Sequence, residues 1–351
     1  MTIIKLLKLI KRILQKYNNF INFISKNTLN KYDKDAIYIE ISGCCNAGCS
    51  YCGTGVGKHR PKTKFMTPDT FEKIIKHLID TKILNKKIKA VNLYNFGEPF
   101  IHPYLNEILT ILRKYNLKAV FSTNFIKFPE ISAENYQNIY AVIFSLCSFD
   151  NEKYKNIYKA DLDKVLENFN KFLIQKQEFN PLIKMSVHWL KYNFNKDEFN
   201  YAKKYFAKRK VYSVTDNYYA QLGDGEILVG LAEGKDFKDI EDTKYYDIEQ
   251  AQKDIDFERE NKIIKKFAPK KYKCPQRRFL SIGESGQLVG CCGVHSNNPD
   301  YDLGNILDMD KKKIYKLEHS MKTCKKCLKY NIAWYGHNMG KYYDKDLDCK
   351  K

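Results

Sequence analysis

The stretch Ile37-Tyr38-Ile39-Glu40-Ile41-Ser42 runs through Gly43 into Cys44-Cys45-Asn46-Ala47-Gly48-Cys49-Ser50-Tyr51-Cys52. The first six residues predict a β-strand, and the thiols follow at its C-terminal end. Cys45, Cys49 and Cys52 stand at C-x3-C-x2-C spacing, with the aromatic Tyr51 directly before the last. Three thiolates on one tight loop can hold three corners of an iron-sulfur cube, because soft sulfur suits iron and Gly48 lets the loop bend. The fourth iron is then left without a protein ligand. An open metal position separates a site that performs chemistry from one that only holds a fold. Two blander accounts compete. A four-cysteine zinc site normally offers C-x2-C pairs, which the x3 arm fits poorly, and a disulfide with a spare thiol belongs in a secreted chain.

Working outward, strand and helix signals alternate. Thr67-Pro68-Asp69 reads as N-cap, first-turn proline and helix-start acid, ahead of Phe71, Ile74, Ile75, Leu78 and Ile79 on one face. Further strands are predicted over Ile88–Tyr94, Leu117–Ser122, Tyr140–Leu146, Leu182–Trp189 and Val211–Val214. Between them lie helical patterns such as Leu105, Ile108, Leu109 and Leu112, and Leu162, Val165, Leu166, Phe169 and Phe172. Such alternation implies a parallel sheet, since parallel neighbours need long crossovers of one hand. In such sheets function gathers at the C-terminal strand ends. Those are the unusual places here: Asn95-Phe96-Gly97-Glu98-Pro99 after the second strand, Phe121-Ser122-Thr123-Asn124 after the third, and Phe144-Ser145-Leu146-Cys147 after the fourth.

The cysteine spacing with Tyr51 before Cys52 resembles the radical S-adenosylmethionine (SAM) superfamily, in which the amino and carboxylate groups of SAM chelate the fourth iron of a [4Fe-4S] cluster. The resemblance implies an α/β fold, a partial (β/α)6 TIM-like barrel, in agreement with the count of six strands. Asn95–Pro99 is similar to the family's Gly-Gly-Glu-Pro motif, with Phe96 in the first glycine place. It implies that Gly97, Glu98 and Pro99 meet the amino group of the SAM methionine, an ammonium that needs acceptors. Ser122 and Asn124 match the family's Ser-Thr-Asn-Gly stretch except that Phe125 takes the last place. They are candidates for the SAM carboxylate or ribose, and Ser145 is a further candidate contact. Each of these turns also reads as an ordinary strand exit or cap. Cys147 reads as a small buried residue. His188 and Trp189, ending the fifth strand, are expected to face the barrel mouth, although a core histidine is the plainer account of His188.

Cysteines return at Cys274, Cys291, Cys292, Cys324, Cys327 and Cys349. Phe279 to Gly290 reads as a hairpin with a glycine-bearing turn that brings Cys291 back toward Cys274. This arrangement resembles the auxiliary-cluster domain called SPASM when it holds two clusters and twitch when it holds one. With only Cys349 beyond Cys327, the resemblance implies one auxiliary [4Fe-4S] cluster on Cys274, Cys291 or its neighbour Cys292, Cys324 and Cys327, the glycine-to-cysteine spacing favouring Cys291. Zinc is the alternative for four paired cysteines. The domain organisation expected is a basic amphipathic extension over 1–34, a radical SAM core over 35–215, a charged connector over 216–272 and the auxiliary domain over 273–351.

Composition narrows the function. At 351 residues with 44% hydrophobic content the chain is an ordinary globular protein, and no stretch approaches the ~20 apolar residues of a membrane span. Its formal charge of +20 suggests nucleic acid, but the cations are nearly all lysine, spread out and interleaved with acids, so nucleic acid is not expected as a partner. Eleven clustered cysteines without a signal peptide fit ligation in a reducing cytosol, so a cytoplasmic protein is expected. Residues 1–31 space Ile3, Ile4, Leu7, Ile10, Leu14, Tyr17 and Ile21 helically among lysines. That helix suits packing on its own domain, a partner or an anionic membrane surface. Reductive cleavage of SAM to a 5′-deoxyadenosyl radical and hydrogen abstraction from substrate are what the resemblance implies. With one auxiliary cluster and no leader-binding domain, the expected net reaction is oxidation of a small or glycan-like substrate, with an electron donor such as flavodoxin or ferredoxin. Modification of a peptide is the runner-up, and a SAM-independent iron-sulfur electron carrier is the alternative from another class.

Overall fold

The computed structural model describes residues 32–58, 61, 63–218, 226–291, 293–294 and 301–342. The helical extension expected over residues 1–31 falls outside them, as do Cys292 and Cys349. The elements below all belong to the unit Lys34–Lys351.

Six strands alternate with helices as the hydrophobic pattern requires: β1 (Ala36–Ile39), α1 (Pro68–Asp80), β2 (Ala90–Asn92), α2 (Leu105–Lys114), β3 (Lys118–Thr123), β4 (Ile139–Leu146), α3 (Asn151–Tyr158), α4 (Leu162–Phe179), β5 (Lys184–Lys191), α5 (Glu198–Ala207) and β6 (Ser213–Tyr218). Three of these helix starts, at α1, α3 and α4, carry a side-chain cap. The Thr67 hydroxyl accepts from Thr70 N ahead of α1, and Asp161 accepts from Lys164 N ahead of α4. All neighbouring pairs from β1 to β6 are parallel.

On each strand alternate residues behave differently. Ile37, Ile39, Val91, Ala119, Phe121, Val142, Phe144, Val187 and Trp189 are buried beneath the helices. The residues between them, including Tyr38, Asn92, Ser122, Ile143, Ser145 and His188, are half-buried and share the opposite, inner face. Ser145 pairs with His188, which pairs with Thr215. Trp189, expected at the mouth beside His188, is instead fully buried on the outer side and stacks on Phe149 at 5.5 Å. Two consecutive strand residues cannot face the same way.

The helical layer is fastened by aromatic rings. Phe125 is fully buried against Phe100, Phe144, Phe169 and Phe172, with ring centroids 5.3–5.7 Å away. Its φ of 55° is left-handed, the conformation that a glycine in this place takes freely. Burying a phenylalanine contributes about 1.5–3 kcal/mol, enough to offset the ~1–2 kcal/mol that this backbone costs.

The C-terminal third joins the same sheet. A connector carries α6 (Glu226–Ala232), α7 (Ile248–Asp254) and α8 (Phe257–Phe267) to a hairpin of β7 (Phe279–Ile282) and β8 (Gln287–Val289), followed by β9 (Asp302–Asn305). Gly286, at φ 83°, makes the hairpin turn. β7 lies parallel to β1, from Ala36↔Phe279 to Ile39↔Ile282, so the described strands form one sheet in the order β6-β5-β4-β3-β2-β1-β7-β8-β9. Helices α9 (Lys311–Ser320), α10 (Lys322–Lys329) and α11 (Ile332–Tyr342) follow. The last of these packs on α8 and on β6, at the far edge of the sheet. The C-terminal chain thus runs from one edge of the open barrel to the other.

Candidate active site

The exits of β1, β2 and β3 are stitched together by two buried carboxylates. Glu40, one residue beyond β1 and 2% exposed, accepts from Phe96 N at 2.7 Å and Gly97 N at 2.8 Å on a single oxygen. Glu98, 3% exposed, accepts from Phe100 N at 2.9 Å, Thr123 Oγ1 at 2.7 Å and Asn124 N at 2.8 Å. Its own N–H donates to Cys44 O at 2.9 Å. Asn124 closes the ring by donating through Nδ2 to Asn46 Oδ1 at 3.0 Å and to Cys45 Sγ at 3.5 Å. Burial pushes the Glu98 carboxyl up to about 7, against the pull of the Asn124 and Phe100 N–H groups.

Gly97 is required by space. A Cβ there would lie 1.7 Å from Ser42 O and 3.0 Å from Cys44 O, so the turn after β2 rests directly on the backbone leading into the cysteine loop. Pro99 is buried in the short turn Pro99–Ile101. Ser122 and Ser145 occupy half-buried inner positions of β3 and β4, while Asn124 is buried at the β3 exit.

The loop bearing Cys45, Cys49 and Cys52 is pinned to the end of α3. Gly48 N donates to Tyr158 O, and Ser50 N to Ile157 O. Tyr51 is 4% exposed, with its ring 5.7 Å from that of Tyr192 and its hydroxyl donating to Asp254 of the connector. A cavity of about 390 Å³ lies beside it, lined among others by Ser50, Lys153, Phe194 and Asp247. Burial pushes the Cys45 thiol up to about 12, with Glu98 and Cys52 adding to the effect. Cys49 is raised well above its ordinary range by burial and then by Cys52, Cys45 and Cys147. Cys147 itself is fully buried, as its small apolar reading implies.

These features suit an iron-sulfur cluster. Closely set thiols that burial and mutual repulsion hold neutral become good thiolates once a cationic centre joins them. Cys45 Sγ already accepts from Ala47 N at 3.4 Å. The buried hydroxyls of Tyr154 and Tyr158, near enough to Cys49 and Cys147 to feel their charge, have no hydrogen-bond partner among the described residues. Among the described residues no three His, Cys, Asp or Glu side chains gather as ligands of a single ion. Ligands of a cube each take a different iron and need not close that far.

The second thiol set is brought together from distant segments. Cys274, Cys291, Cys324 and Cys327 influence one another electrostatically, and burial raises Cys274 and Cys324 and pushes Cys327 up to about 12. Cys291 and Cys324 border a small apolar cluster of Val289, Val294, Tyr301 and Met321. Cys291 Sγ accepts from Gly293 N at 3.3 Å. Val289 pairs with Ser281 and Ser281 with Tyr38, so Val289, in the apolar cluster that Cys291 and Cys324 border, shares the inner face of the sheet. On that face burial lowers the pKa of His188 below its ordinary value.

Two contributors escape a reading of motifs. Glu40 lies inside a predicted strand, and Asp254 lies in a charged helix about 200 positions beyond the ring it holds. An acid at the C-terminal end of an apolar strand is the one signal for Glu40.

Fold and site together define a partial-barrel protein organised around a thiol-rich strand exit. Residues 39–199 match the radical SAM superfamily model, which marks a radical SAM domain in this part of the chain. None of the curated proteins matches it. Native anSMEcpe with bound AdoMet is 15% identical, with 88% of this chain and 96% of that chain covered at a TM-score of 0.53. Streptococcus suis SuiB bound to precursor peptide SuiA is 14% identical, with 89% and 72% covered at a TM-score of 0.53. At such identities the likeness is one of fold, and its coverage is too great to stop short of the C-terminal third.

Proposed function

We propose that this chain is a radical SAM oxidoreductase in which Cys45, Cys49 and Cys52 hold a [4Fe-4S] cluster with one iron left for SAM. The hydrogen-bonded ring joining that loop to the β2 and β3 exits carries this reading. Bound there and reduced, such a cluster would supply one electron to the sulfonium of SAM, the chemistry that would yield methionine and a 5′-deoxyadenosyl radical able to take a hydrogen atom from the substrate. The protein's work is to bind, orient and exclude water.

In this reading the turn Asn95–Pro99, which includes Gly97, Glu98 and Pro99, offers backbone carbonyls to the SAM ammonium. Glu98 has three of its ~four acceptor sites engaged, which leaves one for a donor, and it acts chiefly by holding Thr123 and Asn124 in place. Asn124, Ser122 and Ser145 supply hydrogen bonds to the carboxylate and ribose. Tyr51 fixes the loop. Cys274, Cys291, Cys324 and Cys327 would hold one auxiliary [4Fe-4S] cluster, which would supply a one-electron acceptor for a net oxidation in which the substrate radical also gives up a proton. A small or glycan-like substrate suits the inner face, where Tyr38, Ser122, Ser145 and His188 stand half-buried. Modification of a peptide is the second reading, favoured by the likeness in fold to SuiB bound to precursor peptide SuiA and to anSMEcpe with bound AdoMet and Cp18Cys peptide.

Anaerobic reconstitution tests the proposal. About eight irons and eight sulfides per chain are expected, with 5′-deoxyadenosine and methionine forming from SAM under dithionite. A colourless protein, or one that leaves SAM intact, overturns it.

A further inference from the structure

The turn Asn95–Pro99 has no regular secondary structure before Pro99, and its neighbours hold it in place. Phe96 N and Gly97 N point at one carboxylate oxygen of Glu40, and Glu98 N points at Cys44 O. Gly97 lies flat on Ser42 O. Glu40 therefore stands between the strand that delivers the cysteine loop and the turn proposed to take the SAM ammonium. It is nearly sealed from solvent, and bonds from buried amides to a carboxylate are among the strong ones. A peptide N–H fixed on one side fixes the carbonyl of the preceding residue on the other, because the peptide unit is planar. Holding Phe96 N and Gly97 N thus sets the directions of the Asn95 and Phe96 carbonyls.

We infer that Glu40 is a positioning residue for SAM, orienting the carbonyls of the Asn95–Pro99 turn toward the ammonium while tying that turn to the cysteine loop. The inference deepens the radical SAM reading and rests on it for the identity of the ligand. The anchoring itself rests on the hydrogen bonds alone. Glu40 touches neither ligand nor cluster in this role. Its removal loosens the turn and leaves the thiols in place.

The experiment pairs Glu40→Ala with Glu40→Gln, whose amide oxygen can still accept both N–H groups. Amide hydrogen exchange at Phe96 and Gly97 is read in the protein as purified, and SAM binding is read by equilibrium dialysis after anaerobic reconstitution. The alanine variant is expected to exchange both amides about 10-fold faster or more and to bind SAM about 10-fold more weakly, the scale of one lost bond to a charged group. Its rate of SAM cleavage at saturating SAM stays within a few-fold, so KM moves and kcat does not. Glutamine restores most of the protection and affinity. Should the alanine chain not fold, Glu40→Asp, with its charge drawn back by one methylene, is expected to change both readouts in the same direction. Unchanged protection at Phe96 and Gly97 overturns the anchoring, and freed amides with unchanged SAM affinity overturn the positioning role. A wild-type protein that takes up cluster but no SAM overturns the radical SAM reading and the ligand role with it.

Discussion

The two thiol sets are built in opposite ways. Cys45, Cys49 and Cys52 come from one short loop, and the surrounding fold has only to steady it, through Glu98, Asn124, Tyr158 and Asp254. Cys274, Cys291, Cys324 and Cys327 come from the approach to β7, the end of β8 and helix α10, and meet only after the hairpin, the small cluster around Val289 and the last helices have packed. A set contained in one loop can leave a metal corner open, because no distant segment is needed to complete it. A set assembled from several segments surrounds what it binds. The first design suits chemistry and the second suits storage or passage of an electron.

Breaking each set separately tests this contrast most strongly. Cys45→Ala is expected to lower iron from about eight to about four per chain and to abolish 5′-deoxyadenosine formation, with the second set still loaded. Cys324→Ala is expected to lose the same amount of iron yet to keep cleaving SAM without oxidising substrate. Iron analysis and product chromatography check both. Next in size is Gly97→Ala, whose methyl group meets the Ser42 carbonyl and destabilises the fold by about 3 kcal/mol, seen in a denaturant midpoint.

A pH series on the second region comes third. Burial pushes the Glu260 carboxyl up to about 8, on the helix that carries α11. Because the folded value lies above the ordinary 4.5, its stabilising effect is complete below pH 4.5 and is lost as pH rises toward 8. Glu260→Gln is therefore expected to match the wild type near pH 4.5 and to be the more stable protein at pH 8. The gap is on the order of 2 kcal/mol once relaxation around a buried charge is allowed for, and thermal melts across the range measure it. Smallest is Tyr51→Phe, which frees the cysteine loop from Asp254 and costs about 1 kcal/mol, a drop of about 2 °C in melting midpoint.

Legibility in the sequence divides along the same line. All six barrel strands are legible because each buries one side of a pleat, and those after Pro68–Asp80 and Leu162–Phe179 also follow capped helices, so local pattern and global placement agree. The cysteine loop is legible because its spacing is itself the site. The pairing of β7 with β1 is hidden, since a hairpin's own residues do not name its outer neighbour. Trp189 reads as a mouth residue from its strand-end position, although adjacency to His188 forces it to the other face. Glu40 and Asp254 act through contacts with residues far along the chain, which no periodicity records.

The parallel pairing of Ala36–Ile39 with Phe279–Ile282 also governs the order of biosynthesis. While the ribosome is still translating the connector, β1 has one flank bare, with its N–H and C=O groups unpaired and the neighbouring thiols reachable. The nascent barrel stays unzipped along that seam until some 240 further residues have emerged, a closure that is entropically slow.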